Sequence, residues 1–303
     1  MRVVLALGGN ALIKRGEPLE AEVQRRNVRV AAQAVSEVAR EHEVVVSHGN
    51  GPQVGLLALE AEAYRKVKPY PLDVLGAESE GMIGYLIEQE LMVQLPGRAI
   101  ATLLTQVEVA ADDPALKQPS KPIGPLYPAA EAGRLERERG WRLAVEGAHC
   151  RRVVPSPEPL RILEINAIRL LVDAGVVVIC AGGGGIPVAI DEDGAIRGLE
   201  GVIDKDLASA LLARELKADA LVMLTDVEAV YDGWGTAQAR PIAHTTPAAL
   251  RAKSFAPGSM GPKVEAACRF VEAGGHFAAI GTLAAAPAIV RQEAGTIVLP
   301  ERA

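Results

Sequence analysis

Apolar residues recur along this chain with two periods, and the alternation between them sets the fold class. The opening run RVVLAL, Arg2 to Leu7, is continuous, apolar and rich in β-branched residues, as a parallel strand buried on both faces requires, and it stops at Gly8-Gly9-Asn10. Between Glu20 and Arg40 the apolar positions Val28, Ala31, Val35, Val38 and Ala39 fall at helical spacing, which predicts a crossover helix over one face of a sheet. EVVVSHGNGP predicts a second strand ending at His48-Gly49-Asn50-Gly51-Pro52. After an amphipathic stretch from Ile165 to Ala174 the pattern returns as VVVICAGGGGIP, with glycine from Gly182 to Gly185. Three buried strands thus end in glycine turns, and the class is α/β.

Glycine at the carboxyl end of a strand serves either a tight connection to the next helix or an open array of N–H groups facing an anion. Three such turns favour the second use, at the edge of a parallel sheet where such folds bind ligands. Neither Gly8 nor Gly182 opens a Gly-x-Gly-x-x-Gly fingerprint with an acidic residue at the expected distance, and no Walker A sequence occurs. Nicotinamide cofactors and P-loop chemistry both recede.

The middle of the chain departs from the pattern. Leu72 to Leu95 predicts a long helix, AIATLLTQVEV from Ala99 one further strand, and DDPALKQPSKPIGPLYP an ordered loop or small lobe, since its prolines forbid helix and central strand. A hairpin through Trp141 to Val145 and Arg152 to Val154 continues it. Lys121, between Pro119 and Pro122, is either a solvated lysine or one held in place by a stiff frame. Beyond this segment, VAIDEDGAI predicts a hairpin closed by Asp193-Gly194. A helix from Asp206 to Lys217 carries Leu207, Leu211, Leu212 and Leu216 inward, and DALVMLT predicts a strand ending at Asp226. Val227, Val230 and Tyr231 after that strand can line a purine pocket or merely pack a loop. Lys263 lies just inside the helix of GSMGPKVEAA, where the dipole disfavours a cation and calls for an anion nearby. HFAAIGT and GTIVLP complete the sheet.

Charge and composition narrow the chemistry. With 303 residues, 49% of them hydrophobic, and a net charge of −6, the chain can bury a large core and shows no basic stripe for nucleic acid. Cys150, Cys180 and Cys268 lie far apart, which argues against a disulfide framework and a zinc site and suits a reducing cytoplasm. No apolar run approaches a membrane span, and Met1 leads into a strand rather than a signal peptide, so the chain reads as complete and untargeted. His48 has no carboxylate or second histidine at metal spacing and reads as a structural hydrogen-bonding residue, and no Ser-His-Asp order provides a nucleophile. The most specific stretch is GVIDKDL, Gly201 to Leu207, with Lys205 between Asp204 and Asp206. It is either a helix N-cap or a cation aimed at a transferring phosphate by its neighbouring acids.

ALGGNAL, SHGNGPQVG, SKPIGP, RRVVPSP, GGGGIPV, GVIDKDLAS, LTDVEAVY and GSMGPKVEAA occur in the order seen in carbamate kinases, a branch of the amino-acid kinase family, and the resemblance spans nearly the whole chain. It implies an open, mainly parallel sheet sandwiched between helix layers, with a small protruding lobe at about 112–157. Residues 1–175 would hold the acceptor, carbamate or carbamoyl phosphate, and 176–303 the ATP or ADP, in a cytoplasmic homodimer that binds neither nucleic acid nor membrane. The implied reaction is reversible phosphoryl transfer between ATP and carbamate with Mg²⁺, the metal being held through the nucleotide phosphates rather than by side chains.

The resemblance also assigns roles. Gly8, Gly9, Asn10, Gly49, Asn50 and Gly51 would surround the acceptor, and Gly182, Gly183 and Gly184 would line the cleft between halves. Lys121, Lys205 and Lys263 would act on phosphate with Asp206 orienting them, while Asp226, Val227, Tyr231 and Met260 would join Lys205 and Lys263 around the nucleotide. Ala6 stands where other branches of the family carry a lysine, as in the carbamate kinase pattern. Two positions depart from that pattern. Glu80 stands where glutamine is expected, which would weaken a dimer contact or a hydrogen bond, and GTLAAA near Gly281 is a looser ending. The competing expectations are a related small-acid kinase, which would need a larger acceptor pocket, and a nucleotide-sensing protein that has lost turnover.

Overall fold

The two periods become a layered structure because each buried strand must cover both of its faces with helices. The computed structural model describes residues 1–14, 16–256 and 258–301. Its main sheet contains β1 Arg2–Leu7, β2 Glu43–His48, β3 Ile100–Thr102, β4 Val177–Ile179, β5 Ala220–Thr225, β6 His244–Thr245, β7 Phe277–Thr282 and β8 Thr296–Val298. Across the sheet the order is β6-β8-β7-β5-β1-β2-β4-β3, and every neighbouring pair is parallel except β7 with β8. The helices are α1 Ala21–Ala39, α2 Gly51–Ala63, α3 Leu72–Gln94, α4 Ala132–Arg139, α5 Ile165–Asp173, α6 Lys205–Glu215, α7 Pro247–Arg251, α8 Met260–Glu272 and α9 Ala286–Val290.

Side chains of β1 alternate between two cores, as the period of two demands. Val3, Leu5 and Leu7 join Val28 and Val35 of α1, Ile83 and Ile87 of α3 and Ile289 of α9. Val4 and Ala6 join Ile168 of α5, Leu212 of α6 and Phe270 of α8 on the opposite face. Each fully buried Val or Leu of this set contributes roughly 1.5 to 3 kcal/mol. β1 pairs with β5 on one side and β2 on the other, so strands from before and after residue 175 share one sheet.

One sequence expectation needs correction, and another, left between two readings, is resolved. The stretch from Ala99 is two strands in different sheets: β3 ends at Thr102, and Gln106–Glu108 pairs with Ile186–Ile190 in a four-stranded sheet. The chain leaves the main sheet at Thr105, whose backbone N–H donates to a buried carboxylate of α3 instead of continuing the ladder. Of the two readings of the proline segment the structure gives the small lobe, in which Lys121–Pro128 forms a strand paired with His149–Val154, which in turn pairs with Arg142–Glu146 as the expected hairpin. Lys121–Pro128 lies at the edge of that small sheet, with a register shift between Ile123 and Tyr127, which is where prolines are tolerated. Glu62 of α2 secures the lobe, accepting from Arg139 at 2.7 Å and from Trp141 Nε1 at 3.1 Å, with both Arg139 and Arg152 over the Trp141 ring.

Candidate active site

The three glycine turns gather at the carboxyl edge of β1, β2 and β4 because these strands are parallel neighbours in the sheet. Gly8 N–H donates to Leu224 O of β5 at 2.8 Å and Gly49 N–H to Leu7 O at 3.0 Å, which seats the first two turns side by side. The approach at Gly49 is close: a Cβ there would stand 3.2 Å from Gly9 N and 3.8 Å from Lys205 Cδ. Asn50 is the residue preceding α2, Gly51 is its first residue, and Asn50 Nδ2 donates to Ser79 Oγ of α3 at 2.8 Å. The side chain of Asn10 lies outside the described residues.

At the start of α6 the two readings of Asp-Lys-Asp divide between its two acids. Asp204 is the cap: its Oδ1 accepts from Asp206 N–H at 2.9 Å and from Leu207 N–H at 3.4 Å. Its Oδ2 accepts from Lys121 Nζ at 2.5 Å, so the lysine on the proline frame reaches the body of the molecule. Asp206 is the charged partner, receiving Lys205 Nζ at 2.6 Å on one oxygen and Lys263 Nζ at 2.9 Å on the other. It is also the anion that the position of Lys263 in the first turn of α8 called for. Lysines from three distant segments therefore meet two adjacent carboxylates at one helix N-terminus.

Electrostatics follow from this burial. Burial alone would raise the Asp206 carboxyl, but attraction to Lys205 and then Lys263, with their hydrogen bonds, outweighs it and holds the group ionised far below the usual carboxylate range. Lys205 is lowered, first by burial and then by Lys263, against the pull of Asp206. His48 is fully buried, and that burial lowers it to about 4, with Lys205 acting in the same sense; the ring is neutral. Its Nδ1 lies 3.1 Å from Gly49 O, the structural hydrogen bond expected of it. Ser47 and Ser209 hydroxyls, 2.7 Å apart and both buried, fasten the end of β2 to α6.

The third turn, Gly182–Gly184, is wedged between both groups. A Cβ on Gly183 would come within 2.1 Å of Asn50 Nδ2, and one on Gly184 within 2.6 Å of Ile203 O, the residue before Asp204. Only glycine lets the turn separate the Asn50 side from the Asp204 side at this distance. Gly182 N–H donates to Glu80 Oε1 at 2.7 Å and Gly184 N–H to Ala181 O at 3.1 Å, so these two amides shape the turn.

Of the residues expected around a nucleotide, Met260 and Lys263 share the first turn of α8, and Asp226 and Val227 follow β5 directly. Asp226 Oδ1 accepts from Thr225 Oγ1 at 3.1 Å. Tyr231 lies in a two-stranded hairpin, 5.2 Å ring to ring from the exposed Trp234.

Comparison with known proteins gives the family and the fold. The model of the amino acid kinase family matches residues 1–281. A carbamate kinase of Rhizobium meliloti (strain 1021) is 57% identical over 301 residues, covering 98% of this chain and 93% of that protein. The chain belongs to the amino acid kinase family. A carbamate kinase of Haemophilus influenzae is 53% identical over 98% of this chain and 96% of its own length. Among solved members of the family, the carbamate kinase from Giardia lamblia bound to AMP-PNP superimposes with a TM-score of 0.89 at 38% identity, covering 99% of this chain and 98% of that one.

The site also contains residues whose contacts sequence reasoning did not give. Ser79 and Thr105, unmarked in the sequence, and Glu80, marked only as a departure, hold Asn50 and the third turn from below, and Asp204, marked as a neighbour of Lys205, also joins the lobe to α6. Glu80 is 1% exposed and enclosed within the chain, so it cannot itself weaken a surface contact between subunits. Its identity was visible as a departure, whereas nothing in the sequence joined it to Gly182.

Proposed function

We propose that the protein is a carbamate kinase, catalysing reversible phosphoryl transfer between ATP and carbamate to give ADP and carbamoyl phosphate. The observation that carries this is the meeting of Lys121, Lys205 and Lys263 on Asp204 and Asp206 beside the glycine turns. The carbamate kinases of Rhizobium meliloti and Haemophilus influenzae, alike over nearly the full chain, support the same reading.

Carbamate is a small anion whose oxygen is already nucleophilic, so a general base is unnecessary. The site must suppress repulsion between anions and align them for direct in-line transfer. Lys121 serves the acceptor side, Lys205 and Lys263 the phosphates, and Asp206 fixes the latter two without cancelling both. Gly8, Gly9, Asn10, Gly49, Asn50 and Gly51 frame the acceptor in residues 1–175, and Gly182, Gly183 and Gly184 form the wall between it and the nucleotide in residues 176–303. Asp226, Val227, Tyr231 and Met260 border the nucleotide.

Asp204 and Asp206, the carboxylates nearest this centre, are committed to lysines. Mg²⁺ would be held through the nucleotide phosphates rather than by these side chains, and would supply charge neutralisation between the phosphates. No helix among the described residues is long and apolar enough to cross a membrane, and the buried, unpaired Cys150, Cys180 and Cys268 suit a reducing cytoplasm.

The protein acts as a homodimer through the outer face of α3, where Val74, Met82, Tyr85, Met92 and Val93 form an exposed apolar stripe. Tyr85→Glu then converts a dimer to a monomer by light scattering; an unchanged mass removes α3 from the interface.

The test of the activity is a coupled assay of ATP formation from ADP and carbamoyl phosphate, with acetyl phosphate and glutamyl substrates as controls. Formation of ATP from carbamoyl phosphate in preference to the controls is expected. Activity confined to a control would assign the site to another small-acid kinase, and none at all to a sensor.

A further inference from the structure

One buried ionisable group takes no part in the clamp of lysines. Glu80 lies on the inner face of α3 and is 1% exposed. Two backbone donors converge on it from different strands' ends: Gly182 N–H on Oε1 at 2.7 Å and Thr105 N–H on Oε2 at 3.1 Å. Thr105 Oγ1 in turn accepts from Ala181 N–H at 2.9 Å, so Glu80 and Thr105 together take up the amides that open the third glycine turn. That turn is conformationally expensive, with positive φ at Ala181, which is not a glycine, and at Gly183, Gly184 and Gly185. Something outside it must hold it in shape.

Two donors on two oxygens suit a carboxylate. An amide offers one acceptor oxygen, and its NH₂ would face an N–H group. The glutamine of the carbamate kinase pattern could therefore not take both donors as the backbone of this chain presents them, and the role of Glu80 is particular to this chain. We propose that Glu80, as a carboxylate, is a positioning residue for phosphoryl transfer. By gripping Gly182 and Thr105 it sets the glycine turn that spaces Asn50 from Ile203 and hence from Asp204 and Lys205. This rests on the kinase reading of the site.

The position carries a pH dependence. Burial raises Glu80 from the ordinary carboxylate range to about 8, against the two backbone hydrogen bonds, and Glu164 adds in the same direction. The groups around it are the neutral His48 of β2, whose ring meets Gly182, Cys180 after β4, Glu164 before α5, and Lys205 of α6 beyond His48. A folded-state value raised in this way stabilises the fold while the acid is protonated, and that stabilisation is lost as pH rises through about 8. The same ionisation completes the grip on both N–H groups. Stability and turnover therefore respond to Glu80 in opposite directions.

Glu80→Gln separates them. Turnover with carbamoyl phosphate falls about 10- to 100-fold, as for misplacement of a catalytic frame, while ADP affinity is retained. At pH 9 the variant melts no lower than wild type. The wild-type rise in kcat/KM through pH 8 is absent from the variant. Glu80→Asp, with the carboxylate withdrawn by one methylene, regains that rise in part. Wild-type kinetics in Glu80→Gln would overturn the inference. So would turnover and melting temperature falling together, or failure of both variants to fold, since Glu80 would then be structural only. A wild-type protein that makes no ATP from carbamoyl phosphate would overturn the kinase reading; an active wild type matched by Glu80→Gln would overturn only the role of Glu80.

Discussion

Two clusters meet at the carboxyl edge of the sheet and are held by different physics. At the start of α6, long cationic side chains from the lobe, α6 and α8 converge on Asp204 and Asp206, and each contact is an ion pair. Around the third glycine turn, Ser79, Glu80 and Thr105 accept from Asn50 and from the backbone of Ala181, Gly182 and Thr105 itself, and each contact is a hydrogen bond to a buried group. The first cluster gathers charge, which on the proposed function meets the charge of phosphate. The second supplies shape, because a turn with strained φ values keeps its place only when its amides are taken. Removing a member should therefore take away charge in the first cluster, and in the second displace the turn, which alters turnover through its pH response at Glu80 and stability at Ser79.

The largest expected effect is in the charged cluster. Asp206→Asn leaves Lys205 and Lys263 facing one another without a counter-charge, and kcat should fall by about 10³-fold with the fold and ADP binding retained. Separate measurement of turnover and of ADP affinity decides it; unchanged kcat would make Asp206 structural. Next is the acid limb of stability, governed by His48. Its folded value of about 4 lies below the ordinary 6.5, so the proton prefers the unfolded chain. The contribution is complete above pH 6.5 and is lost as pH falls toward 4, about 3 kcal/mol in all. Urea unfolding between pH 7 and 4 should show this loss, with a shallower slope for His48→Asn; equal slopes would place the titration elsewhere. The smallest effect belongs to Ser79→Ala, which leaves Asn50 Nδ2 without its acceptor at a cost of about 1 to 3 kcal/mol. Chemical denaturation measures it, and a change under about 0.5 kcal/mol, the range of an ordinary surface substitution, would mean that Asn50 is held by other contacts.

The difference between the clusters also explains what the sequence reveals. Strands and helices are legible wherever one residue type repeats with one period, as in β1, α1 and α5. The lysine clamp is legible only in part: the residues alone leave Lys121 open as a solvated lysine and Asp204-Lys205-Asp206 as a helix cap, and the carbamate kinase motifs are what join Lys121, Lys205 and Lys263. Glu80 and Thr105 are not legible in this way: their partners are backbone amides, which every residue carries, and the pairing crosses about a hundred positions between α3 and Gly182. The break in the strand after Thr102 has the same origin, since the apolar run continues past the point where Thr105 turns to Glu80. Proline in Lys121–Pro128 excluded a central strand correctly but could not distinguish an edge strand from a loop, because an edge strand leaves one row of N–H groups unused.

The lobe offers the most direct test of the clamp, since Lys121 reaches Asp204 from 83 positions away and is, of the three clamp lysines, the farthest in the chain from the proposed nucleotide residues. The measurement is kcat for ATP formation from carbamoyl phosphate and MgADP in Lys121→Met, beside ADP affinity by calorimetry. Loss of one positioned donor should lower kcat about 10²- to 10³-fold with ADP affinity unchanged. Wild-type kinetics in that variant would contradict the account and leave Lys205 and Lys263 to meet the phosphate alone.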